Sequence, residues 1–182
     1  FELLFNPRRR RVTEREGQHN GVRILRFRVR HLPGGPLAYA AWRRLLWLLS
    51  AFRPTPVRAI SWLARFTPWV PGLWHWFRST DHVFDLVAGM NVAFESLPQA
   101  GLSYARRLGI PFALYPITHL GAGSRPGQDV VGSFYTMRHQ LALVRASDAV
   151  IAQTLTERDF YVECGVPGER IHIIGPGVNP GD

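Results

Sequence analysis

From Asp81 onward the chain alternates short, mostly apolar runs with longer amphipathic segments, and this alternation constrains the fold more than any other feature. Residues 83–87, 111–115, 149–152 and 171–174 are four or five residues long and rich in Val, Ile, Leu, Ala and aromatics. Runs of this length and texture predict strands covered on both faces, as in a parallel sheet packed under helices. Between them, residues 95–108, 132–145 and 156–164 read as helices. The last of these carries a capping-box pattern, Thr154-x-x-Glu157, and a Gly165 stop. Strand and helix at this spacing imply right-handed βαβ units. The predicted fold class is therefore α/β, a Rossmann-like open parallel sheet with helices on both faces. In such a sheet, ligands sit beyond the carboxyl ends of the strands. Residues 88–94, 116–127, 153–157 and 175–181 are the loops where a site is expected.

The N-terminal part has a different texture. Residues 1–20 contain the run Arg8-Arg9-Arg10-Arg11 and a polar stretch with little apolar periodicity, and read as a flexible basic arm. Residues 21–30 end in alternation, Leu25, Phe27 and Val29 against Arg26, Arg28 and Arg30, which predicts a half-buried strand near a sheet edge. Residues 37–52 place Trp42, Leu45, Leu46 and Leu49 at helical spacing. A second helix over residues 57–66 and an irregular aromatic loop follow, and all six tryptophans fall between Trp42 and Trp76. The expected organisation is an arm (1–20), one Rossmann-like domain (21–174) with a Trp/Arg-rich helical insertion (37–80), and the start of a linker (175–182).

Charge and composition narrow the function. The net charge of +9 is uneven: residues 1–80 carry 15 Arg against 3 acids, and residues 81–182 carry 7 Arg against 10 acids. A basic partner surface, if present, is N-terminal. The Arg run without an accompanying nucleic-acid fold reads as a solvated arm, so no nucleic-acid partner is expected. The Trp/Arg mixture of residues 42–78 suits either an anionic membrane surface or internal packing. The apolar stretches 45–52 and 66–77 fall short of the roughly 20 residues that span a bilayer. With no signal-peptide pattern either, the expectation is a cytoplasmic location, at the inner face of the membrane where residues 42–78 meet lipid.

Common chemical motifs are missing. Gly121, Gly123 and Gly127 do not have dinucleotide-loop spacing, and no phosphate-binding loop, nucleophile elbow or multi-ligand metal pattern occurs. The single Cys164 can form neither an internal disulfide nor a multi-cysteine zinc site. No metal or cofactor is predicted. What remains is the loop Pro116-Ile117-Thr118-His119-Leu120-Gly121-Ala122-Gly123-Ser124, which joins an imidazole, a hydroxyl and glycines. His119 either meets a ligand there or ties down its own loop. Arg138 and His139 either face the same site or begin an ordinary helix.

Three stretches together resemble the first domain of family 4 (group 1) glycosyltransferases: Phe84-Asp85-Leu86-Val87-Ala88-Gly89-Met90-Asn91, Gly109-Ile110-Pro111-Phe112-Ala113-Leu114-Tyr115-Pro116-Ile117-Thr118-His119, and Ser147-Asp148-Ala149-Val150-Ile151-Ala152-Gln153-Thr154. The likeness continues through Glu157-Arg158 and Gly165-Val166-Pro167 to Gly175-Pro176-Gly177-Val178-Asn179. It implies one half of a GT-B fold, two Rossmann-like domains facing a cleft, with the acceptor mainly against the first. The nucleotide-sugar donor would lie mainly against a C-terminal domain, and a sugar or lipid-linked acceptor against this one. The implied reaction is hexosyl or other glycosyl transfer with retention of configuration and no required metal. The chain would be the N-terminal, acceptor-side piece, truncated at both ends and inactive alone. By the same resemblance His119 is the catalytic candidate. Thr118 faces the sugar, Asn91 and Glu95 the acceptor, and Gly121, Gly123 and Arg138 the substrate cleft, while Gly175 and Gly177 mark the crossing to the second domain. The family's T-x-H can also be laid on Tyr115-Pro116-Ile117, which puts Ile117 at the histidine position. A non-catalytic Rossmann-like binding module and a peripheral membrane module are the alternative readings.

Overall fold

The computed structural model describes residues 12–122 and 125–175. It opens on an antiparallel hairpin, β1 (Glu16–His19) with β2 (Val22–Leu25). His19 pairs with Val22 across the two-residue turn Asn20-Gly21, both at positive φ (47° and 79°). Asn-Gly supplies the two left-handed positions that a type I′ turn needs, so a polar stretch expected as an arm folds back into a strand. The expected strand over residues 21–30 is correspondingly short, and it belongs to this hairpin rather than to the parallel sheet. Its faces are as expected, with Leu25, Phe27 and Val29 half-buried and Arg26, Arg28 and Arg30 exposed.

Three helices follow: α1 (Gly35–Ala51), α2 (Val57–Leu63) and α3 (Pro71–Ser79). The third replaces the predicted aromatic loop. Pro71 takes the first helical position, where its missing N–H costs nothing, and starts the segment as a helix. Helices α1 and α2 share a second, small core of Leu46, Ile60, Ala64 and Met137, edged by Trp42 and Trp47.

The rest of the chain is α/β. It runs β3 (Val87–Met90), α4 (Ser96–Leu108), β4 (Phe112–Tyr115), a 3-10 turn (Gly132–Phe134), α5 (Arg138–Arg145), β5 (Ala149–Ala152), α6 (Leu155–Glu163) and β6 (Ile171–Ile173). The four strands lie side by side in chain order, all parallel, with Val87 opposite Phe112, Ala113 opposite Ala149 and Val150 opposite Ile171. This is a Rossmann-like α/β sheet with helices around it. Its core joins Phe112, Leu114, Val150 and Ala152 to Ala105, Val144 and Tyr161 of the helices. Helix α4 sits close on β3 because Gly89 carries no side chain; a Cβ there would stand 2.7 Å from Phe112 Cζ and 3.0 Å from Pro98 Cβ.

Two boundaries differ from the sequence reading. β3 starts at Val87 rather than at residue 83, and Phe84 instead packs its ring against Trp76 and Tyr104. The helix expected over residues 132–145 is broken, because Met137 is extended (φ −61°, ψ 149°) between the 3-10 turn and α5.

Asp148 aligns the amino ends of β4 and β5. Its Oδ2 accepts from the Phe112 N–H at 2.8 Å and from Arg106 Nη1 at 2.8 Å. The Arg106 guanidinium hydrogen-bonded to it holds the carboxyl below its ordinary value of 3.8. A carboxyl whose folded value is depressed adds stability above its unfolded value and loses that contribution as pH falls through the folded one. The stability gap between the wild type and Asp148→Asn, read from urea midpoints, is therefore expected to be full at about pH 5 and above and to close as the pH drops below 3.8.

Candidate functional site

The carboxyl ends of the parallel strands face one edge of the sheet, and the loop after β4 carries the strongest sign of a built site. Ile117 holds φ 51°, a left-handed conformation that a β-branched residue adopts only when its surroundings enforce it. Such a residue stores about 1–3 kcal/mol of backbone strain. The enforcing groups come from α6. Glu157, buried at 4% exposure, accepts the Thr118 N–H on Oε1 at 3.0 Å and the Gln153 N–H on Oε2 at 2.8 Å. Thr118 Oγ1 meets the Tyr161 hydroxyl, whose ionisation burial pushes well up. Glu157 thus departs from the reciprocal capping box read from the sequence. Thr154 Oγ1 does accept the Glu157 N–H at 3.1 Å, but the Glu157 carboxylate turns to the β4 and β5 loops. Its charge lies in the first turn of α6, where the helix dipole favours an anion.

One residue beyond Thr118, His119 is exposed. Its Nδ1 accepts the Gly121 N–H at 3.2 Å, and its ring lies 5.9 Å from that of Tyr135, inclined by 35°. An Nδ1 occupied as an acceptor puts the proton of the neutral ring on Nε2. Gly121 sits at φ 81°, and a Cβ there would come within 1.9 Å of Asp129 Oδ2, so this position requires glycine. Asp129 pins the far side of the loop by accepting the N–H groups of Ala122 at 3.0 Å and Gly132 at 2.6 Å.

The other candidates turn to structural tasks. Asn91, at φ 68°, uses its Oδ1 to accept the Ala93 N–H at 2.9 Å, closing a turn after β3. Thr118 is spent on holding its loop. Glu95, expected to face an acceptor, is fully buried. Its Oε1 receives Arg43, Gln140 Nε2 at 2.9 Å and His139 Nε2 at 3.4 Å, because Arg43 lies on the inner side of α1 and needs an anion there. Arg138, expected in the cleft, instead caps the end of α1, donating to the carbonyls of Leu49, Ser50, Phe52, Arg53 and Thr55 at 2.6–3.2 Å. Gly175 lies exposed just past β6, whereas Gly123 and Gly177 lie outside the described residues.

The edge of the sheet therefore gathers His119, Thr118, Gly121 and Asn91, and leaves Glu95 and Arg138 inside the scaffold. Residue types alone did not single out Glu157, Tyr161, Asp129 and Tyr135. Glu157 was visible only as a helix cap, and the others had no local pattern. Among the described residues, no group of three His, Cys, Asp or Glu stands where it could hold a metal ion.

A Rossmann-like parallel sheet with a strained loop and an exposed imidazole at its carboxyl edge defines an α/β domain of the kind whose strand-end loops can carry a ligand site. The model for Glycosyltransferase Family 4 matches residues 53–182, and the chain belongs to that family. No curated protein and no solved structure gives a significant match.

The Glu95 cluster carries a direct stability test. Glu95→Gln removes the anion and leaves Arg43 charged at 12% exposure. Removing one partner of a buried pair costs about 3–5 kcal/mol, so chemical denaturation is expected to show a loss of that order.

Proposed function

We propose that the chain is the acceptor-side domain of a retaining glycosyltransferase, which moves a sugar from a nucleotide-sugar donor to a sugar or lipid-linked acceptor. The family membership supports the reaction class. The observation that carries the reading to this site is the His119 imidazole, oriented by the Gly121 N–H on a loop held in a strained conformation.

On this reading, His119 Nε2–H donates a hydrogen bond to a hydroxyl of the transferred sugar and fixes its position against the acceptor. A donor preset in this way needs no reorganisation when charge develops, which is how fixed dipoles lower a barrier. The developing negative charge on the departing nucleotide would be met by a donor-binding domain, and this domain would hold the acceptor hydroxyl. Glu157 and Tyr161 act through the loop by keeping Thr118, and with it His119, in place.

The test incubates the gene product that carries this chain with nucleotide-sugars and with glycan or lipid acceptors, and reads products by mass spectrometry and anomeric configuration by NMR. Transfer with retention is expected, and His119→Ala is expected to lower kcat/KM by about 10²-fold while the fold is kept, since the residue is exposed. Transfer that His119→Ala leaves unchanged removes His119 from the site. Saturable acceptor binding without any transfer replaces the enzyme reading by that of a binding module.

A further inference from the structure

Helix α1 is apolar on both sides. Toward the domain it buries Leu46 and packs Trp42 and Leu49. Its opposite side is a stripe of Leu37, Ala41, Leu45, Leu48 and Phe52, spaced 4, 4, 3 and 4 residues apart, with Leu37 83%, Leu48 56% and Phe52 63% exposed. These positions fall within about 80° of one another at 100° per residue, a continuous ridge roughly 22 Å long. A helix with apolar stripes on two sides belongs against something on each. Trp62 of α2 adds a further exposed ring, at 56%.

The tryptophans that suggested a membrane contact from sequence are mostly not part of this ridge. Trp42, Trp47 and Trp74 donate their indole N–H groups to Leu63 O, Ser133 Oγ and Ser96 Oγ, and Trp69 and Trp76 pack on Phe66 and Phe27. The exposed apolar surface consists mainly of leucines and one phenylalanine.

Charge decides what covers it. Between Glu16 and Asp81 the chain holds ten arginines and no acid. Arg44 flanks the stripe, Arg53 follows its end and Arg58 stands on α2, all exposed. Among the described residues, the ion pairs involve none of these three. A second copy seated through a two-fold axis would bring like patches together, cation against cation. An apolar ridge with cations beside it, on a stretch of chain that holds no acid, fits an anionic surface with an apolar interior. We infer that the outer face of α1 is a docking surface for an anionic lipid bilayer, with the helix lying in the plane of the interface and Leu37, Leu45, Leu48 and Phe52 entering the acyl boundary. Arg44, Arg53 and Arg58 meet the head groups. This surface is built independently of His119, so it stands or falls apart from the glycosyl-transfer reading.

The test is co-sedimentation of the 182-residue chain with vesicles of phosphatidylcholine alone and of phosphatidylcholine with phosphatidylglycerol, at low and high salt. Binding to the anionic vesicles is expected, about tenfold or more above the neutral ones and weakened by salt. Leu48→Glu and Phe52→Glu are each expected to lower partitioning about tenfold or more, while Leu108→Glu on α4 leaves it unchanged. Should a ridge variant fail to fold, the paired reversal Arg44→Glu with Arg58→Glu carries the same expectation through surface charge. Absence of binding, equal binding to neutral vesicles, or ridge variants that bind like wild type overturn the inference. So does a dimer in sedimentation velocity that Leu48→Glu dissolves, which gives the face to a second copy.

Discussion

The ion pair between Glu95 and Arg43 is the interaction on which the assembly of this domain depends. Glu95 comes from the turn between β3 and α4, Arg43 from α1, and both are withdrawn from water. Gln140 of α5 donates to the same carboxylate oxygen, to Val92 O at 3.2 Å and to Phe134 O at 3.1 Å, and Arg43 donates to Phe134 O at 2.7 Å. Through Arg43 and Gln140 this carboxylate ties together α1, the first βα turn, the 3-10 turn and α5. The cluster is not fully satisfied, since Glu95 Oε2 and His139 Nδ1 are buried without a hydrogen-bond partner among the described residues. Buried pairs of this kind contribute little net energy but make alternative arrangements costly, because any other packing strands a charge. Here that penalty fixes where α1 sits relative to the sheet, and with it which face of α1 is turned outward.

Much of the fold was legible because its signals are local. The apolar runs at residues 111–115, 149–152 and 171–174 became β4, β5 and β6 within a residue of the expected ends. Strands covered on both faces need apolar residues throughout, and little else in the chain has that texture. The misreadings share a cause. The polar β1 carries no apolar periodicity, and the Asn20-Gly21 turn specifies its hairpin by backbone conformation alone. The residues of α3 looked irregular because prolines interrupt them, yet Pro71 starts a helix rather than ending one.

The place of the candidate residues was legible in the sequence, and what each of them touches much less so. Topology placed it in the loop after β4, and His119 is there, exposed and with an oriented ring. The tasks of Glu95 and Arg138 could not be read, because each is set by a partner 52 and 88 residues away in sequence, Arg43 and Ser50. Polar residues near a predicted cleft look alike whether they face a ligand or hold two elements together. Glu157 illustrates the same limit: its spacing marked a helix cap, while its carboxylate holds the loop that carries His119.

The account turns on one geometric claim, that the β4 loop is held so as to present His119 Nε2–H to a sugar. The most direct measurement is the imidazole nitrogen spectrum of His119 by NMR, recorded on the free protein and during titration with nucleotide-sugar and acceptor. The account predicts the Nε2–H tautomer in the free neutral ring, as the Gly121 N–H on Nδ1 requires, and a shift of the Nε2 resonance when sugar is added. An Nδ1–H tautomer, or a ring whose resonances stay fixed at saturating sugar, would contradict it.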